Sequence, residues 1–181
     1  KITNLDATSA ENYGAISIFK TAENTKVTVK GGEIVLGDDS VAASNGAEGA
    51  NVTFEGTVGA EKVQTVVAYI GDAGYTSLQS AINDAKAGQT VTLIRDVTAK
   101  DIITINKAIT LDGNGKKLTS TAGRAINIDT TGKVVINDLT INAGERAINI
   151  INKASTVELN NVTATAKNNA VMIATSAGAA K

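Results

Sequence analysis

The side chains best suited to chemistry are three carboxylates, Asp112, Asp129 and Asp138, and two guanidinium groups, Arg124 and Arg146. A polysaccharide lyase would need such a set, with acids holding calcium and an Arg or Lys acting as the base. Asp38 and Asp39 stand together in a polar stretch as a second candidate calcium site. Tyr13, Tyr69 and Tyr75 are the tyrosines available as platforms for a glycan. The chain has no Cys and no His, so thiol nucleophiles, disulfides and the usual zinc and copper ligands are excluded.

Charge narrows the classes further. Seventeen basic and eighteen acidic residues are spread along the chain for a net charge of −1. No basic stripe can neutralise a phosphate backbone or an anionic membrane, which argues against nucleic-acid partners. The apolar runs are only a few residues long, too short for a bilayer span. A chain that starts at Lys1, without Met or a signal-like segment, is expected to be a processed protein or an excised piece.

Whether the acids and arginines can meet depends on the elements that carry them, and these repeat. RAINI occurs at 124–128 and again at 146–150, with AVMI at 170–173 and AISI at 15–18. A second motif places an apolar residue two positions before a small turn-forming one. Ile2, Val29, Phe54, Leu111, Ile136 and Leu159 precede Asn4, Gly31, Gly56, Gly113, Asp138 and Asn161. Gly, Asn and Asp tolerate positive φ, so these six are the expected corner residues. Within each half their spacings are 27, 25, 25 and 23 residues. That is the length of a solenoid rung carrying three short strands. Inward Val134, Ile136, Leu139 and Ile141 alternate with polar residues at period two. Stacked rungs should set Ile136 on Leu159, and Ile126 on Ile148 on Val171, with Asn127 beside Asn149. The expected fold is all-β: a parallel β-helix.

One helix interrupts the pattern. Leu78, Ala81, Ile82 and Ala85 fall on one face. Thr76 and Gln79 have capping-box spacing, and Gly88 supplies a stop. The expected role is a short cap over an otherwise open solenoid end. The stretch VVAYIGDAGYTSLQSAINDAKAGQTVTLIRDVTAKDIITINKAITLDGNGKKL, residues 66–118, resembles the opening of pectate-lyase-like β-helix modules of bacterial cell-surface proteins. The resemblance implies a right-handed parallel β-helix, secretion and tandem arrangement, and it carries no catalytic residue across. The chain then divides into rungs at 1–65, a linking strand and cap at 66–89, and a second run of rungs at 90–181.

On that frame the acids fall at turns of different rungs and share no recurrent spacing, so no catalytic, metal or cofactor site is expected. The expectation is a structural surface protein, a building block of a filament, stalk or layer, with its own copies as head-to-tail partners. An adhesin binding a glycan is the alternative reading, and a polysaccharide lyase is the third. A neighbour's Asn4 placed after Lys181 would lie 24 residues beyond Asn161, within the rung spacing, which favours end-to-end continuation.

Overall fold

The computed structural model describes residues 2–4, 14–36, 41–60, 63–151 and 155–174, with only the backbone at 2–4 and Gly14. It is a right-handed parallel β-solenoid of about six turns with a single short helix. The chain forms two compact units, Lys1–Val66 with Asp72–Thr76, and Val67–Gly71 with Ser77–Lys181.

In the first unit, β1 (Ile2–Asn4), β2 (Gly14–Ile18) and β3 (Lys26–Lys30) make one turn. β4 (Ile34–Leu36), β5 (Val41–Asn45) and β6 (Asn51–Glu55) make the next, and β7 (Val63–Thr65) follows. Every pairing is parallel: β1 with β4, β2 with β5 and then β7, and β3 with β6. Ile18, Ala43, Ala47, Ala50 and Val52 form the core, with Ile16, Val27 and Phe54 packed against it. Three of these five core residues are alanines, and Phe54 packs against them while only partly buried.

Next along the chain come β8 (Ala68–Ile70), β9 (Ala73–Tyr75) and α1 (Leu78–Asp84). Four complete turns of the second unit come next. The first is β10 (Thr90–Leu93), β11 (Val97–Ala99) and β12 (Ile103–Ile105), and the second is β13 (Thr110–Asp112), β14 (Lys117–Ser120) and β15 (Arg124–Ile128). The third is β16 (Lys133–Asn137), β17 (Thr140–Ala143) and β18 (Arg146–Ile150), and the last is β19 (Thr156–Asn160), β20 (Thr163–Ala166) and β21 (Asn169–Ile173).

Period-two alternation turns one side chain in two inward, and parallel stacking then aligns like with like. Val91, Leu111, Ile136 and Leu159 form one column. Leu118, Ile141 and Ala164 form the second. Ile103, Ile126, Ile148 and Val171 form the third, beside Ile105, Ile128, Ile150 and Ile173. Leu111, Ile136, Ile126 and Ile148 are fully buried, each contributing roughly 1.5–3 kcal/mol of transfer free energy. Between neighbouring turns, the buried Asn149 donates through Nδ2 to Asn127 Oδ1 at 3.1 Å, and the exposed Asn160 Nδ2 to Asn137 Oδ1 at 2.9 Å. These side-chain ladders run parallel to the backbone ladder and reinforce its register.

The start of the second unit is closed. Leu78, Ala81, Ile82 and Ala85 are buried. The N-cap is Ser77, whose hydroxyl accepts from the Ser80 amide, so the Thr76–Gln79 capping box does not form. Nor does Gly88 end the helix, which stops at its C-cap Ala85. Gln79 is drawn elsewhere. Its Oε1 accepts from the Thr104 amide at 2.7 Å and its Nε2 donates to the Thr104 carbonyl at 3.1 Å. The side-chain amide thereby pairs the edge of β12 as a neighbouring strand would. Asn83 Oδ1 accepts the second Nε2 hydrogen at 2.9 Å, and Lys107 Nζ donates to the Asn83 carbonyl at 2.6 Å. β8 meets β10 antiparallel, opposing Tyr69 to Thr92, and interrupts the parallel order on that sheet. Replacing Gln79 with Ala leaves the half-buried Thr104 groups unpaired, and should lower stability in urea unfolding by about 1–3 kcal/mol.

Candidate functional site: an uncovered terminal rung

The corner residues set where each rung bends. Gly31 and Gly56 adopt φ of 65° and 64°, and Asp138 and Asn161 adopt 47° and 52°. Asp138 and Asn161 stand in one column, with Asn161 Nδ2 donating to Asp138 Oδ1 at 2.6 Å. Asn161→Val removes that bond and forces a β-branched residue into the left-handed region. The expected loss is about 1–3 kcal/mol in urea unfolding.

Two of the six expected corners are different. Gly113 is not left-handed, and the positive φ at its corner belongs to Asn114 and Gly115, at 48° and 71°. The cause is a longer bend: residues 113–116 separate β13 from β14, whereas only 138–139 separate β16 from β17. Gly113 is required for space, because a Cβ there would lie 2.5 Å from the Asp138 carbonyl oxygen and 2.6 Å from the Leu139 Cβ. Asn4 closes β1, opposite Leu36, with Ile2 opposite Ile34. Ile34 follows the Gly31 corner instead of preceding it, so Asn4 lies outside the corner column. The 24-residue spacing across the chain ends therefore gives no support for end-to-end continuation.

The candidate chemical residues do not converge. Asp112 Oδ1 accepts from the Asn114 amide at 2.9 Å and serves its own turn. Asp138 is tied to the Asn161 ladder, and Asp129 follows β15 on a different sheet. Arg124 and Arg146 are register partners on adjacent turns. Among the described residues, no group of three or more Asp and Glu side chains could hold a metal ion. Asp38, Asp39 and Tyr13 lie outside the described residues. Tyr69 is buried and Tyr75 half-buried, so neither offers an open stacking face. Among the described residues no helix is long and apolar enough to cross a membrane.

What the second unit does present is its last turn. Leu159, Val171 and Ile173 are 37%, 42% and 49% exposed, while Ile136 and Ile148, one turn earlier in the same columns, are at 0%. The sequence aligns these columns and leaves an open edge at the end of the second run of rungs, and the exposures show which side chains that edge bares. Glu158, on the outer face of β19, pairs with Lys133 at 2.7 Å with both side chains about half exposed. Such a bridge contributes less than about 1 kcal/mol, so the aliphatic layer dominates this rung. Among the described residues no strand pairs the outer edges of β19, β20 or β21. No protein-family model matches the chain, and neither a curated protein nor a solved structure does.

Proposed function

We propose that the chain is a non-enzymatic structural protein, a solenoid building block that assembles head to tail into an extracellular filament, stalk or layer. The terminal rung carries this reading: the columns buried at Ile136 and Ile148 end one turn later on an exposed aliphatic layer, whose backbone edges no described strand pairs. A buried layer of the same composition is the cheapest cover for it, since stacking satisfies the strand edges and the aliphatic surface together. The bacterial cell-surface setting and the pectate-lyase-like kinship rest on the resemblance of residues 66–118. Sedimentation velocity and negative-stain microscopy test the assembly. Regular unbranched polymers that lengthen with protein concentration are expected. A chain that stays monomeric at the highest attainable concentration overturns the reading.

A further inference from the structure

We propose that the β20–β21 edge seats the first turn of another copy, β1 on β20 and β2 on β21; this rests on the head-to-tail reading and specifies its two faces. The partner cannot be the start of another copy's second unit. There α1 covers the core, Gln79 occupies both backbone groups of Thr104, and β8 lies antiparallel on β10. Among its described residues the first unit has no such closure. Among the described residues β1 pairs only with β4 and β2 only with β5, so no described strand lies on the opposite side of either.

Direction and pattern both fit. The chain advances from β1 and β2 toward β4 and β5 through parallel pairs, as it does from β17 and β18 toward β20 and β21. Seating β2 on β21 therefore prolongs a parallel sheet. Ile16 and Ile18 pack into the first unit's core. They would extend the columns that end at Val171 and Ile173, with Ser17 opposite Met172. In a helix that rises one strand spacing per turn, this docking leaves one strand-wide slot above β19.

Charge points the same way. Edge strands that must stay unpaired are commonly blunted by Lys or other charges. β1, β2, β20 and β21 contain no charged residue, whereas β3 and β16 carry lysines. The four strands brought together carry no ion of their own to desolvate.

Because the chain lacks Cys, a paired substitution reports the contact directly. Register partners on parallel strands lie about 4.8 Å apart, within the roughly 4.4–6.8 Å Cα separation of a disulfide. A mixture of Ser17→Cys and Met172→Cys chains, oxidised mildly, should give disulfide-linked dimer at least tenfold above either variant alone. The double variant should give a ladder of higher oligomers whose yield rises with concentration. Met172→Cys chains that dimerise alone as readily as the mixture would mean pairing of like ends and overturn the proposal. So would a double variant that closes only an internal disulfide. Wild-type polymers without the mixed disulfide would sink this docking and leave head-to-tail assembly standing. Monomers throughout would sink both.

Discussion

Ile148→Asp is expected to unfold the second unit, at a cost of about 5 kcal/mol. Ile148 is fully buried between Ile126 below and Val171 above. A carboxylate there loses the packing of the aliphatic side chain and gains no counter-charge from its column neighbours. That penalty is comparable to the whole stability of many domains, roughly 5–15 kcal/mol. The informative control is Val171→Asp, one rung higher in the same column but 42% exposed. In the unassembled chain its carboxylate stays hydrated, so the expected cost is below about 1 kcal/mol. Urea unfolding followed by circular dichroism measures both. Equal losses would mean that Ile148 is not shielded by the layer above it, contrary to the stacked columns.

Gly113→Ala is the second large effect, and it works through crowding. The added methyl would have to displace the Asp138 carbonyl and the Leu139 backbone, which lie within 2.7 Å of its position. The Gly113 amide donates to the Asn137 carbonyl at 2.8 Å, so the rungs cannot separate without breaking their own ladder. Overpacking of this kind costs about 3 kcal/mol. Gly31→Ala is the comparison: its Cβ would meet nothing within 4 Å, and the penalty comes from φ alone. The expected cost is about 1–2 kcal/mol, from the left-handed backbone. If Gly113→Ala proved the milder of the two, the close approach of the rungs would be wrong.

The columns were legible in the sequence because two physical regularities coincide in them. Alternation marks the inward residues, and identical strings such as RAINI fix the register of one turn on the next. Corners were legible where the bend is short, as at Asp138 and Asn161. At Gly113 a longer bend moved the left-handed conformation to its neighbours. Asn4 shared the apolar–x–Asn pattern only through composition, since Ile, Thr and Asn are common throughout the chain. The helix was visible from its apolar face, but the task of Gln79 was not. Its partner Thr104 is 25 residues away, while the capping-box spacing to Thr76 offered a nearer, local explanation. The candidate site was the least legible part, because exposure of Leu159, Val171 and Ile173 depends on what lies above the last turn and not on their own pattern.

The closed start and bare finish of the second unit give it a direction of failure. Each turn is held by its immediate neighbours, so loss of the outermost one exposes the next without disturbing those beneath. Amide exchange should be fastest in β21, slower in β18 and slowest in β15, a gradient along one axis. A protein pulled from its C-terminal side should come apart in repeated steps of about one turn, the 23 residues between Asn137 and Asn160. The same chain pulled against α1 should resist as a block.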